Sequence, residues 1–296
     1  MEYHVPVLAK EALEGLRVTK GNKYIDCTLG DGGHAIEILR AGGKVLGVDY
    51  NQESLDRASE RIRNAGLEEN FIGVLGNFKD IDKLAEENDF SLVNGILYDL
   101  GYSSTQLEDS TGLSFQRDQV LDMRLDKNMG VTAADLINSL PEAHLIKLFK
   151  EYGEEKYAKR FAHSIVEGRN LKKIETTKDL VDIIVGSSPP GYETGKLHPA
   201  TKVFQALRIA VNDEFENLKV SLPRAARLLL PGGRMCVISF HSLEDRIVKQ
   251  FGAGVLSAEG SDVTEVAFMK PGEEEVRGNP RSRSAKLRII EKNETA

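Results

Sequence analysis

Tyr24-Ile25-Asp26-Cys27-Thr28-Leu29-Gly30-Asp31-Gly32-Gly33-His34 joins a short apolar run to a glycine turn, and Lys44-Val45-Leu46-Gly47-Val48-Asp49 ends a second apolar run on a carboxylate. Glycines at such a junction let backbone N–H groups at the start of the next helix approach a ligand closely. Asp49 stands 19 residues past Gly30, near the roughly 20 at which an acid meets ribose hydroxyls. The pattern predicts a site for an adenosine-containing cofactor. Asn77-Phe78 follow a third apolar run and Asp99-Leu100-Gly101-Tyr102 close a fourth. Asp49 is then expected on the ribose and Phe78 against the adenine, with Gly30, Gly32 and Gly33 as the turn on which the cofactor lies.

Gly30-x-Gly32-x-x-Ala35 also satisfies the dinucleotide pattern G-x-G-x-x-G/A, so an NAD-dependent oxidoreductase is one reading. Asp26 argues against it. An acid four residues before the first glycine suits a cofactor with an ammonium and a sulfonium better than a pyrophosphate, which favours S-adenosylmethionine. Asp99-Leu100-Gly101-Tyr102 is similar to the tetrapeptide of enzymes that methylate exocyclic base amines. Such an amine is a poor nucleophile, because its lone pair is delocalised into the ring. An oxygen of Asp99 accepting its N–H would direct that pair toward the methyl group, and Tyr102 could stack a base taken out of its helix. His241, which opens His241-Ser242-Leu243-Glu244-Asp245-Arg246 at the same sheet edge, is expected to position substrate or to cap a helix. One histidine and two acids are too few for a metal centre, and none is predicted. Spacing gives His4, His34, His144, His163 and His198 no partner and assigns them structural or surface roles.

Strand-like runs at Tyr24–Thr28, Lys44–Asp49, Phe71–Leu75 and Gly95–Leu100 alternate with helical patterns at Ala35–Ala41, Gln52–Ala65 and Ile81–Glu87. That is βαβ alternation, hence a parallel sheet that binds ligands at the carboxyl ends of its strands. A fifth run, Arg234–Phe240, comes more than a hundred residues later. The intervening segment carries helical patterns at Ala133–Leu140, Pro141–Glu151, Glu155–Glu167 and Thr177–Val185. It is expected to be an inserted helical substrate-recognition subdomain over 105–197, followed by one long return helix, Thr201–Leu230. Residues 1–104 and 198–296 then form the cofactor-binding domain, with Val263–Met269 and Ala285–Glu291 as a late hairpin closing the sheet.

The chain has 296 residues, 41% of them apolar and 29% charged, with a formal charge of −7. This is an ordinary globular composition that announces no polyanion partner. Two cysteines outside any CxxC spacing fit reduced thiols, and no apolar run reaches the ~18 residues of a membrane span, so the expected location is cytoplasmic. Basic residues nevertheless cluster. Arg277, Arg281, Arg283, Lys286 and Arg288 lie near the end, and Lys156, Lys159, Arg160, Arg169, Lys172 and Lys173 in the insertion. Either group is a candidate phosphate-binding face.

The motifs converge on one family. From end to end the chain resembles the bacterial 16S rRNA cytosine-N4 methyltransferases, the RsmH (formerly MraW) family. The matching segments include His4-Val5-Pro6-Val7, Gly30-Asp31-Gly32-Gly33-His34, Asp99-Leu100-Gly101-Tyr102-Ser103-Ser104-Thr105-Gln106, Leu121-Asp122-Met123-Arg124, Tyr152-Gly153-Glu154-Glu155, His198-Pro199-Ala200-Thr201, Phe204-Gln205-Ala206-Leu207-Arg208-Ile209, Ile238 to Arg246 and Asn279-Pro280-Arg281-Ser282-Arg283-Ser284-Ala285. The resemblance implies an α/β, Rossmann-like methyltransferase sheet with a helical insertion. It also implies transfer of a methyl group from S-adenosylmethionine to N4 of a decoding-centre cytosine, in an assembled or nearly assembled small subunit. By motif position the cofactor residues are Gly32, Gly33, His34, Asp49, Phe78, Asp99 and Gln106, the last on no other ground. The chain departs from the family at Ala35 (usually Ser), at Tyr102 (usually Val) and at Thr111-Gly112-Leu113-Ser114-Phe115 (usually Arg-Gly-Phe-Ser-Phe). Methylation of DNA or protein, and a nonenzymatic role in ribosome assembly, are the other readings, and homodimerisation is left open.

Overall fold

A computed structural model describes residues 5–101, 111–127, 129–192, 198–255 and 262–294. The chain divides into two compact units, one formed by Met1–Ser103 with Phe215–Ala296 and the other by Ser104–Glu214.

The first unit is built on a seven-stranded sheet. In chain order its elements are α1 (Ala9–Leu16), β1 (Lys23–Asp26), α2 (Gly33–Arg40), β2 (Lys44–Asp49), α3 (Gln52–Asn64), β3 (Phe71–Leu75), α4 (Ile81–Glu87) and β4 (Val93–Asp99). Numbering beyond the second unit's α5 to α9, the fold resumes with α10 (Glu214–Leu228), β5 (Leu229–Ser239), α11 (Ser242–Gly252), β6 (Val263–Met269), α12 (Glu273–Gly278) and β7 (Lys286–Lys292). The strand order is β3-β2-β1-β4-β5-β7-β6. The first five strands are parallel, and β7 runs antiparallel between β5 and β6. The expected late hairpin is present, β6 and β7 pairing antiparallel, with β7 beside β5 and β6 at the edge. The order reverses between β1 and β4, which makes their carboxyl ends the switch point where such sheets bind ligands.

Alternation along the strands decides what reaches that point. Tyr24, Val45, Leu97, Cys236, Ile238, Leu287 and Ile289 join one core with residues of α1, α2 and α3. Asp26 and Asp99 lie two residues beyond Tyr24 and Leu97, hence on the α2 side of the sheet. Helix α1, absent from the sequence reading, begins after Leu8 in a left-handed conformation, its N–H donating to Glu275 Oε1 at 2.7 Å. The acidic stretch before Pro280 thus holds the amino-terminal segment, and Asn279 Nδ2 donates to the Val5 carbonyl. Pro6 in turn lies where a side chain on Gly33 would stand, so two motifs far apart in sequence meet behind the glycine turn.

The second unit is helical: α5 (Ala133–Ser139), α6 (Glu142–Gly153), α7 (Ala158–Leu171), α8 (Thr177–Ser187) and α9 (Thr201–Val211). Capping boxes at Thr132/Asp135 and Thr176/Asp179 start α5 and α8. Leu145, Phe149, Phe161, Ile165, Leu180, Phe204 and Leu207 share its core. The long return helix is two helices, broken at Asn212-Asp213, where Asp213 adopts φ +50. Asn212 sits there to accept from Leu125 N at 2.8 Å and donate to the Met123 carbonyl at 2.9 Å, which fixes the loop at Met123 (φ +65). Because α9 buries Val203, Phe204, Ala206, Leu207 and Val211 in the helical core, the unit runs to Glu214, past the expected boundary at 197. Among the described residues no helix is long and apolar enough to cross a membrane.

Candidate active site

The glycine turn is tied to its acids by the backbone. β1 ends at Asp26, yet Cys27 N still bonds to the Leu97 carbonyl and Leu29 N to the Val48 carbonyl, so the turn leaves from between its two neighbouring strands. Gly32 takes φ +74, donates to the Leu29 carbonyl and caps α2 without a side-chain bond. Ala35 brings no hydroxyl there. A side chain at Gly32 would be strained in φ and press on Ala58, which explains the glycine. Gly30 N donates to Asp49 Oδ2 at 2.8 Å, and Asn51 N to Asp49 Oδ1 at 2.9 Å. One turn N–H expected to face the cofactor is therefore spent on fixing the Asp49 carboxylate. Each Asp49 oxygen keeps a second lone pair for a ligand hydroxyl. Asp31 points elsewhere, toward Arg57 Nε at 3.0 Å.

Asp26, His34 and Asp99 form a group that the sequence reading did not assemble. Asp26 is 1% exposed, with Oδ1 accepting only from Thr28 N at 3.1 Å among the described residues. Burial raises its pKa to about 6, against the pull of His34 and the Thr28 N–H, with Asp99 and Asp49 adding to the rise. Burial likewise raises Asp49 to about 6, although the N–H bonds from Asn51 and Gly30 and the Arg57 charge oppose it. His34, given no partner by spacing, lies with Nε2 3.5 Å from Asp99 Oδ2, an ion-pair distance without hydrogen-bond geometry. Burial alone would lower its pKa. Asp99, then Asp26 and Glu37, outweigh burial and raise it. Asp99 is itself held by a 2.6 Å bond from its N–H to Thr28 Oγ1.

Phe78, just beyond β3, is half-buried and meets Tyr98 edge-on, with ring centroids 5.7 Å apart at 78°. Its carbonyl accepts from Ser221 Oγ at 2.8 Å, and Ser221 Oγ lies 2.5 Å from the Tyr98 hydroxyl. Arg224, one turn along α10, donates to the Lys79 carbonyl at 2.7 Å. Neither Tyr98 nor Ser221 was singled out from sequence, since nothing local marks a buried hydroxyl as a clamp.

Tyr102 and Gln106 lie outside the described residues. His241 caps α11: Nδ1 accepts from Glu244 N at 3.3 Å, while Glu244 Oε2 accepts from Phe240 N and His241 N. Nδ1 thus serves as the helix cap, while Nε2 lies 3.0 Å from Glu244 Oε1 without making a hydrogen bond. The carboxyl-terminal basic cluster is largely neutralised. Arg288, 7% exposed, reaches Asp245 at 2.8 Å and both Glu265 oxygens at 2.7 and 2.9 Å. Lys286 pairs with Asp245, and Arg277 with Glu273. In the insertion Arg169 donates to the Ile137 and Leu140 carbonyls, Arg160 to the Ser187 carbonyl, and Lys172 and Lys173 pair with Asp179 and Glu175.

These residues fit a cationic adenosine cofactor and not a pyrophosphate. Three carboxylates stand at the carboxyl ends of β1, β2 and β4, and a diphosphate at the neighbouring helix start would face all of them. An ammonium and a sulfonium would relieve the cost of ionising Asp26 and Asp49. The buried Nε2 of His34, which lacks a hydrogen bond, marks an unfinished polar site.

Fold and site together define an α/β methyltransferase of the Rossmann-like kind. Residues 1–293 match the model of the MraW methylase family, and the chain belongs to that family. It is 42% identical to the ribosomal RNA small subunit methyltransferase H of Persephonella marina over 294 residues, covering 99% of this chain and 100% of that one. It is 44% identical to the proteins of the same name from Sulfurihydrogenibium azorense (98% of this chain, 99% of the other) and Citrifermentans bemidjiense (98% of each). The chain is an enzyme that transfers methyl groups, and its donor is S-adenosylmethionine.

Proposed function

We propose that the chain methylates the exocyclic N4 of a cytosine in 16S rRNA of the small ribosomal subunit, acting in the cytoplasm on an assembled or nearly assembled particle. The full-length match to relatives named ribosomal RNA small subunit methyltransferase H supports the RNA substrate. Asp99 at the switch point, with Oδ2 3.5 Å from His34 Nε2 and Oδ1 accepting from Gly101 N at 3.4 Å while keeping a second lone pair, carries the choice of an amine.

Bound S-adenosylmethionine supplies a methyl group on a sulfonium, an electrophile for in-line attack. Asp49 binds the ribose hydroxyls through its remaining lone pairs. Phe78 packs on the adenine, and Asp26 faces the cationic amino-acid end. The turn from Gly30 through Gly32 and Gly33 admits the cofactor at close range. With the His34 ring beside Oδ2, the Oδ1 lone pair that Gly101 N does not use accepts an N–H of the cytosine amine. That bond localises the amine lone pair toward the methyl carbon. With a bound methyl donor facing the amine, Asp99 would take up the amine proton along that hydrogen bond. Catalysis is mainly positioning. The helical unit recognises RNA.

The test is Asp99→Ala beside Asp99→Asn, assayed on small subunits that lack the modification. Asp99→Ala should lower kcat by roughly 100-fold or more. Asp99→Asn, which keeps an acceptor oxygen, should fall between, and both should still bind S-adenosylhomocysteine. An Asp99→Ala enzyme with wild-type turnover at saturating cofactor and RNA would remove Asp99 from the mechanism.

A further inference from the structure

Three rings of the helical unit form a column that runs from its core to its surface. Phe204, on α9 and 4% exposed, meets Phe115 edge-on with centroids 5.1 Å apart at 71°. Phe115 is half-buried, and the His198 ring stacks on it at 4.8 Å and 28°. His198 is exposed, and among the described residues no other ring or cation covers it. The imidazole is also fixed in orientation. Its Nδ1 accepts the Ala200 N–H at 3.2 Å, and its carbonyl accepts from Thr201 N at the start of α9. The neutral ring therefore carries its proton on Nε2, as a donor. The segment that supplies Phe115 is pinned too, since Thr177 Oγ1 donates to the Arg117 carbonyl at 2.8 Å. The other aromatic group of this unit differs in being closed: Lys156 Nζ lies over the Tyr157 and Tyr192 rings at 4.9 and 5.4 Å, and Phe161 packs edge-on against Tyr192.

We propose that His198, backed by Phe115, is a stacking platform for an unpaired nucleobase of the RNA substrate. The inference rests on the reading of the chain as an rRNA methyltransferase. An exposed, rigidly backed ring offers a π-face to any base, which is how single-stranded RNA is gripped without sequence readout. The outward Nε2–H adds one hydrogen bond to a base edge or phosphate, and Arg117, exposed two residues past Phe115, adds a cation for the backbone. Spacing alone assigns His198 a structural or surface role. The sign that could have raised it is Phe115, six residues ahead of Leu121-Asp122-Met123-Arg124 in a chain with few aromatics, but their pairing is tertiary.

The experiment compares His198→Ala, His198→Leu and His198→Trp in the full-length enzyme, with undermethylated small subunits as substrate and calorimetry with S-adenosylhomocysteine on every variant. His198→Ala and His198→Leu should raise the KM for subunits by roughly 5- to 150-fold, the range of a single base–aromatic stack. His198→Trp should match or improve on the wild type, and S-adenosylhomocysteine affinity should not move. Wild-type KM in His198→Ala would overturn the platform, as would equal behaviour of the leucine and tryptophan variants, which would make the ring a packing element. A wild-type enzyme that binds S-adenosylhomocysteine yet never methylates small subunits would overturn the functional reading and the platform with it. Loss confined to the alanine and leucine variants separates the two.

Discussion

Asp26 is the residue whose physics is most telling. Its carboxyl is buried beside two other acids and holds its proton to about pH 6, against 3.8 for an ordinary aspartate. A group that binds its proton more tightly when folded gives stability that is full below about pH 4 and is lost as pH rises to about 6. At neutral pH the ligand-free protein thus carries a cost of up to about 3 kcal/mol at this one position. Asp26→Asn keeps an acceptor for Thr28 N, so the variant should melt at a higher temperature than the wild type at pH 7, with the difference shrinking toward pH 4. Calorimetric melting across that range is the check, and equal melting temperatures at pH 7 would refute the account. The same titration should govern the cofactor. Ionised Asp26 and Asp49 favour the cationic ligand, so S-adenosylmethionine affinity should fall as pH drops from 7 to 5, with protons released on binding near pH 6. Asp26→Asn should bind more weakly at pH 7 and respond less to pH. An affinity flat across this range would contradict the assignment. Asp26 was legible in the sequence because an acid in an apolar strand is out of place. The His34–Asp99 pair was not, since it joins residues from two elements that only the sheet brings together.

At the scale of elements, α10 holds the turn after β3. Ser221 and Arg224 lie on one face of the helix and grip the carbonyls of Phe78 and Lys79. Ser221→Ala would leave both the Tyr98 hydroxyl and the Phe78 carbonyl short of a buried partner, at a cost of roughly 1–3 kcal/mol. The expected kinetic signature is a several-fold higher KM for S-adenosylmethionine with the KM for RNA unchanged, and Ser221→Thr should restore much of it. If both KM values rose together, the clamp would be structural only. β1, β2 and β4 were readable from sequence because they are buried on both faces, which leaves apolar runs with little else in them. Helix α1 was not, because its start depends on Glu275 from the far end of the chain. The break at Asn212-Asp213 was hidden for the same kind of reason, since Asn212 answers to the loop at Met123 and Leu125. The carboxyl-terminal basic cluster misled because Asp245 and Glu265, which neutralise Lys286 and Arg288, lie on α11 and β6.

For the whole molecule, two separated stretches of chain build the methyltransferase sheet, and the helical unit between them has its own core. The class of enzyme was legible because its chemistry is concentrated in turns after strands, where spacing survives as pattern. The extent of the helical unit was less so, because α9 looks like any amphipathic helix and only packing assigns it. Motifs that appear unrelated along the chain turn out to be neighbours: His4-Val5-Pro6-Val7 supplies Pro6 against Gly33, and Asn279 reaches Val5. The proposed activity places a methyl group on N4 of a small-subunit cytosine. The direct measurement is to incubate the protein with isotopically labelled S-adenosylmethionine and small subunits from cells lacking the modification, then map the label by nuclease digestion and mass spectrometry. Label is expected in 16S rRNA on the N4 atom of a single cytosine, lost with Asp99→Ala. Label on a ring carbon, on another nucleotide or on ribosomal protein would contradict it.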